Sequence, residues 1–427
     1  MLKLLFSEAK GQVDYVGYNH AVSLLNRAIG DRLVTSKDDG PVARMYCNLP
    51  WHHDAKGLCQ GLPLVYYTMF ETTRLPKGWV RFLNTNVDAI IVPSEWNEVV
   101  FRLSGVKVPI FVVHLGYDPT VFSRVQKRKM EGLYVFMWQG VAHDRGGRKG
   151  YDLAVDAFKE LQEEGRLGDD ARLIVKTKPM KDGDFNLGVD TGHGIIYHHG
   201  VMEWKDVIGL YEMTDCCLNP THGEGFGLIP LEQMAMGKPV IVPDWSMPYL
   251  QEGCFVPVDY ELKRSQIAWT HRSLHISLNG MALNFGGLSR EIFFMPKHPI
   301  QLRSCSREPV KIPGLPSVVK RKMGRRHVAV NKAVNALSNM QRRLGLFVDK
   351  RRKRRQFVFE DPGKDAWVSK ESLKKQMLWC YHNRTEAKRI GDKAHTYARS
   401  CWTMERIKNE FEAIEPELEA IIKRKAK

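Results

Sequence analysis

Two stretches of this chain alternate strand-length apolar runs with helix-length amphipathic ones, and that alternation limits the fold more than any other feature. In the first stretch, 64–68 reads as a strand, and Asp88-Ala-Ile-Ile-Val-Pro93 as a buried one. Ser94 offers an N-cap, Glu95-Trp-Asn-Glu-Val-Val-Phe-Arg-Leu103 reads as a helix, and Gly105 is placed to stop it. Val108-Pro-Ile-Phe-Val-Val113 is the next strand. The second stretch runs through strands at 133–138, 172–176, 215–219 and 238–242, with helices at 151–161 and 203–213 and a glycine loop opening a third. Such alternation builds a parallel sheet with helices on both faces. Two series joined by a short polar link at 123–131 predict two Rossmann-like, doubly wound α/β domains with a cleft between them. The expected bounds are 1–124 for the first, 125–400 for the second, and a closing helix over 401–427 that packs back on the first domain.

The second series contains Asn219-Pro-Thr-His-Gly-Glu-Gly-Phe-Gly-Leu-Ile-Pro-Leu-Glu232. A strand ends at Asn219, three alternating glycines let the backbone turn tightly, and a helix begins near Gly227. Pro230 falls in its first turn, where a missing N–H costs little. Free amides at a helix start form a ready anion site, and a strand end followed by a glycine loop is the ligand crevice of a doubly wound sheet. Glu224 lies in the loop and Glu232 about two turns into the helix. A carboxylate accepts from two vicinal hydroxyls at once, which suits ribose or hexose.

Glu224-Gly-Phe-Gly, followed by Leu231-Glu-Gln-Met-Ala-Met-Gly-Lys-Pro239-Val240, resembles the signature of glycosyltransferase family 4, in which seven residues separate two glutamates. Gln233 is the one departure, where the family usually carries alanine. Further similarity lies in Ile91-Val-Pro-Ser94, Ser104-Gly105-Val106, Val112-Val-His-Leu-Gly116-Tyr-Asp118, Lys149-Gly150-Tyr-Asp152 and Ser400-Cys-Trp402, covering roughly 88–260 and 360–415. The resemblance implies the GT-B fold and a retaining hexosyl transfer from a nucleoside-diphosphate sugar. It places Glu224 on the donor sugar, Glu232 on the nucleotide ribose, and the backbone of Gly225, Phe226, Gly227 and Leu228 against sugar and diphosphate. Lys149 would pair with the diphosphate. The arginine that family members carry just after the strand glycine is Val141 here, so Arg145 and Arg148 are the candidate replacements. Diphosphate departure needs only cations and a helix N-terminus, so no metal or other cofactor is expected. Asp182-Gly-Asp184 reads as a turn. In the first domain the resemblance puts a glycine loop at Gly17, before a helix from about 21. His52, His53 and Glu71 are candidates for the acceptor side.

The net charge is +16, but it is concentrated. Between 262 and 355 there are 22 Lys and Arg against 3 Asp and Glu, while the rest of the chain holds 42 against 45. This basic segment lacks βα alternation and reads as an insertion in the second domain, with one amphipathic helix at 328–346 and the run Lys350-Arg-Arg-Lys-Arg-Arg355. Three uses fit it: contact with a polyanion such as DNA or RNA, docking on an anionic membrane surface, or a solvated loop without a partner. The acceptor would then be a modified base in DNA, or a glycan or lipid-linked saccharide. An alternative is a non-catalytic polyanion-binding protein on a glycosyltransferase scaffold.

No apolar run is long enough to span a bilayer. Met1-Leu-Lys-Leu-Leu-Phe-Ser is expected to be a buried first strand rather than a signal peptide. Eight cysteines show no metal spacing, and Cys216 and Cys217 sit in an apolar run, a pattern that suits a reducing cytoplasm.

Overall fold

The computed structural model describes residues 2–8, 16–48, 61–123, 130–142, 147–177, 189–190, 192–200, 202–265 and 363–425, with further short strands between 267 and 289 and at 359–360. Six strands, β1 (Leu4–Glu8), β2 (Leu33–Val34), β3 (Ala43–Cys47), β4 (Leu64–Tyr67), β5 (Ala89–Val92) and β6 (Ile110–Val112), form a parallel sheet in the order β2-β1-β3-β4-β5-β6. Every residue of β3, β4 and β5 is buried, as expected where helices cover both faces. Those helices are α1 (Val16–Ile29), α2 (Lys77–Asn86) and α3 (Glu95–Leu103). Leu4 is fully buried within β1, in line with the reading of the first residues as a strand. Helix α1 starts earlier than its apolar periodicity suggests, so Gly17 lies in its first turn rather than in a preceding loop.

The second sheet holds β7 (Tyr134–Gly140), β8 (Ala171–Thr177), β9 (Val189–Asp190), β10 (Ile195–His199), β11 (Cys216–Leu218), β12 (Val240–Val242) and β13 (Val256–Pro257). Its order is β13-β12-β11-β7-β8-β10-β9, parallel except for the edge strand β9. Helices α4 (Tyr151–Glu163), α5 (Trp204–Met213) and α6 (Leu228–Ala235) connect these strands. The chain winds from β7 outward through β8 and β10, then returns to β11 on the other side of β7. The order therefore reverses between β7 and β11, and a doubly wound sheet opens its ligand crevice at that switch point. The loops after β7 and β11 carry Lys149 and Glu224.

Three helices close the chain: α7 (Lys370–His382), α8 (Arg384–Cys401) and α9 (Met404–Lys425). Helix α9 packs against α1. Arg32, after α1, pairs with Glu412 at 2.9 Å and Glu415 at 3.1 Å, and the Leu2 amide donates to Glu415 at 2.7 Å. Leu4, Leu25, Met137, Leu231 and Phe411 share a single buried cluster, so the two sheets and the closing helix hold a common core.

The expected insertion is flanked by described strands. Strand β14 (Tyr260–Arg264) begins it, and β15 (Ile267–Thr270), β16 (His275–Ser277), β17 (Leu283–Phe285), β18 (Leu288–Ser289) and β19 (Phe359–Glu360) form an antiparallel sheet ordered β18-β17-β16-β15-β19. Strand β20 (Lys364–Val368) then pairs antiparallel with β14. The expected helix at 328–346, the run at 350–355 and the turn at 182–184 lie outside the described residues. Among the described residues no helix is long and apolar enough to cross a membrane.

Candidate active site

The Glu224 loop is shaped by what its glycines must avoid. Gly227 takes φ 88° as it caps α6, and as a glycine it offers the helix amides no side-chain cap. The first-turn N–H groups therefore receive no bond from an N-cap side chain, an arrangement that suits an anion. A Cβ on Gly225 would lie 2.6 Å from the Met69 side chain, and one on Gly223 would overlap the Glu71 carbonyl oxygen. Met69 and Glu71 follow β4 of the first sheet, so the glycines let the two domains touch across the cleft. Asn97 of α3 locks this contact. Its Nδ2 donates to the Gly225 carbonyl at 2.6 Å while its Oδ1 accepts from the Phe70 amide at 2.7 Å.

Glu224 is 7% exposed. Lys149 Nζ donates to both of its oxygens, at 2.7 and 2.6 Å, and the Thr221 hydroxyl donates to Oε1 at 3.0 Å. Arg148 stands 3.5 Å from Oε2, and Ser246 Oγ accepts from the Glu224 amide at 3.2 Å. Burial alone would raise the carboxyl's pKa, but Lys149 and then Arg148 outweigh it and hold it below the usual range. Glu224 is therefore charged, and Lys149 is placed by it at the mouth of the switch point. Gly150, at φ 70°, caps α4 immediately after Lys149 and passes against Pro220, which keeps the two loops adjacent.

Arg148 is spent differently from a free diphosphate ligand. Its Nη1 donates to the Gly223 carbonyl at 2.6 Å, and its Nη2 lies 3.9 Å from Glu71. It is 9% exposed, so it braces the Glu224 loop and links it to the first domain. Val141 is 38% exposed just after β7. Arg145, His52 and His53 lie outside the described residues.

Glu232, on α6, is 1% exposed. Its Oε1 is 2.7 Å from Nε2 of His20, which belongs to α1 of the first domain. Burial pushes the Glu232 pKa up and His20 offsets part of that push. Gln233, the departure from the family pattern, accepts from Asn219 Nδ2 at 2.6 Å and so ties the end of β11 to α6. The acceptor-side candidate Glu71 is 9% exposed and sits opposite Gly223.

Sequence reasoning missed His20, Asn97, Thr221 and Ser246. The first two lie 212 and 128 residues from the groups they touch, and no local pattern announces such pairs. The base of the insertion also reaches the site. The Ala366 amide donates to the His222 carbonyl at 2.8 Å, and the Trp367 ring stacks on His222 with centroids 5.0 Å apart. On the other side the Lys364 amide donates to Thr73 Oγ1 at 2.8 Å in the first domain. Among the described residues no three His, Cys, Asp or Glu side chains gather as a metal ligand set.

Residues 135–263 match the family Glycosyl transferases group 1, a span that contains Lys149, Glu224 and Glu232. The match covers most of the second sheet, from β7 to β13. "Uncharacterized protein 356" of Sulfolobus islandicus rod-shaped virus 1 is 25% identical over 188 residues, 40% of this chain and 49% of that protein. "Putative glycosyltransferase 45" of Sulfolobus islandicus filamentous virus is 23% identical over 209 residues, 43% of this chain and 56% of that protein. The chain spans about half the length of these curated relatives. Among solved structures, Anabaena HepE in complex with UDP and glucose superposes with a TM-score of 0.55 at 10% identity, over 98% of this chain and 100% of that one. Sucrose-phosphate synthase from Thermosynechococcus elongatus gives 0.51 at 12%, over 95% and 80%. The architecture is that of the GT-B glycosyltransferases.

Proposed function

We propose that this protein is a retaining glycosyltransferase that moves a hexose from a nucleoside-diphosphate sugar to an acceptor hydroxyl. The observation that carries the reading is the buried Lys149–Glu224 pair at the switch point, beside the uncapped amides of α6. A diphosphate entering there meets the α6 N-terminus and the Lys149 ammonium, and both attract its charge. As Lys149 turns to the phosphate, Glu224 gains free lone pairs to accept from donor-sugar hydroxyls. Glu232 takes the ribose. The bond from the anomeric carbon to the diphosphate then breaks while the acceptor oxygen bonds the same face. The acceptor proton leaves with the diphosphate oxygen. Lys149 and the helix amides stabilise negative charge that grows in the transition state, which is where stabilisation raises the rate. In this scheme the cations and amides do what a metal would otherwise do.

The basic insertion favours an acceptor with negative charge, such as DNA carrying hydroxylated bases. A glycan or a lipid-linked saccharide at an anionic membrane surface is the other acceptor class. The test is release of nucleoside diphosphate from a panel of sugar nucleotides, with and without duplex DNA. UDP-glucose heads the panel because the like-folded HepE was solved with UDP and glucose. Release from one donor that vanishes in Glu224→Gln supports the reading, and stimulation by DNA with hydroxylated bases names the acceptor. No release from any donor by a folded protein sinks it in favour of a polyanion-binding protein on this scaffold.

A further inference from the structure

Helix α1 belongs to the first domain, yet its residue His20 ends on a carboxylate of the second. The His20 Nε2–Glu232 Oε1 distance is 2.7 Å, with side-chain exposures of 17% and 1%. The imidazole is also fixed from behind. The Trp204 ring, at the start of α5, lies 4.6 Å from it at 44°, and Phe122 backs Trp204 at 5.4 Å in an edge-on contact. Three segments, from α1, the stretch after β6 and the start of α5, therefore converge on the His20 ring.

A carboxylate this deeply buried needs a donor, or it takes up a proton and loses acceptor capacity. His20 Nε2 engages Oε1, which leaves Oε2 for a ligand. We propose that His20 is a positioning residue for the donor nucleoside: it holds Glu232 in the orientation that receives the ribose hydroxyls. Because His20 comes from the opposite domain, the ribose is recognised only when the cleft is closed. This inference rests on the reading of Glu232 as the ribose ligand. It makes the nucleotide's sugar a sensor of domain closure, so donor affinity and closure become one equilibrium.

The test is titration calorimetry of the full chain with UDP, GDP and ADP and with their 2′-deoxy counterparts. The parent protein should bind one ribonucleotide about ten- to a hundred-fold more tightly than its deoxy form, the value of a hydrogen bond to a charged group. Glu232→Gln should lose that preference. His20→Ala should lose it as well, and the double variant should be no worse than either single one. His20→Gln, which keeps an N–H, should recover part of the preference. In turnover, His20→Ala should raise the donor KM and leave kcat within about two-fold. A His20→Ala protein that keeps the ribose preference while Glu232→Gln loses it overturns the inference alone. The same holds if His20→Ala merely lowers the melting temperature. A Glu232→Gln protein that keeps the preference, or a parent that binds no diphosphate, removes the reading of Glu232 and the inference with it.

Discussion

At the residue scale the site turns on one buried pair. Removing one partner of a buried ion pair costs about 3–5 kcal/mol, because the other is left uncompensated. Lys149→Met should therefore lower stability in urea titrations by about that much, at the low end because Arg148 still stands 3.5 Å from Glu224. Adding Glu224→Gln should restore most of the loss, whereas neither variant should release nucleoside diphosphate above about a thousandth of the parent rate. Stability and turnover thus separate, and a double variant as unstable as Lys149→Met would contradict the pairing. His222 gives a second prediction. Burial, and then the Arg148 charge, pull its pKa from 6.5 down to about 4. The unfolded chain then binds the proton first, so the fold loses stability as pH falls from about 6.5 to about 4, by roughly 3 kcal/mol. Replacing His222 with Gln should flatten the urea midpoint between pH 7 and 5, and an unchanged slope would rule out this cause. Glu224 and Glu232 stood out in the sequence because glycines, a strand end and a helix start surround them locally, and Lys149 only through the family resemblance. His20 and Asn97 were not, since their roles exist only once two domains meet.

At the element scale, periodicity located helices well where a capping residue marks them. Ser94 accepts from the Asn97 amide at 3.2 Å, and the helix it begins runs Glu95–Leu103 as its sequence indicates. Gly227 and Leu228 likewise begin α6 where the glycine loop ends. Helix α1 lacks such a mark, since its first turn contains no acidic residue, and its start was placed too late. The antiparallel pairing at 260–264 was also missed, because Tyr260-Glu-Leu-Lys-Arg264 is exposed apart from the half-buried Tyr260 and shows no apolar alternation. Glycine in α8 shows how packing overrides propensity. In an exposed helix interior, Gly→Ala gains about 1 kcal/mol. At Gly391 an added Cβ would overlap the Gly237 carbonyl oxygen and lie 2.8 Å from the Pro239 nitrogen. Gly391→Ala should therefore destabilise by about 1–3 kcal/mol in thermal melts, because α8 presses on the turn that ends α6. A higher melting temperature would mean that α8 can move away from the donor helix without cost.

At the scale of the whole molecule, two nearly neutral domains share a core while the charge sits in one appendage. Alternation predicted the two sheets, but it could not predict how the appendage is attached. The neck answers that. The Ser265 amide donates to the Gly363 carbonyl at 2.9 Å, so the chain leaves and rejoins the domain at neighbouring points. Closing such a gap with a short linker costs little entropy, because loop closure depends only weakly on length. Replacing 266–362 with a few Gly and Ser residues should therefore leave β14, β20 and the melting temperature almost unchanged. The donor site should survive, because His222, Thr73 and Lys364 keep their contacts on the retained side of the neck. Slow donor hydrolysis without acceptor should then continue at the parent rate. If the lysines and arginines of the segment neutralise phosphates, binding to duplex DNA should disappear in the shortened protein. In the parent, log affinity should fall steeply with log salt, by about 0.9 per phosphate contacted. Undiminished DNA binding after the replacement would move the polyanion surface elsewhere. Loss of donor hydrolysis with an intact fold would show that the segment acts on the donor side, through the neck that joins Thr73 to His222.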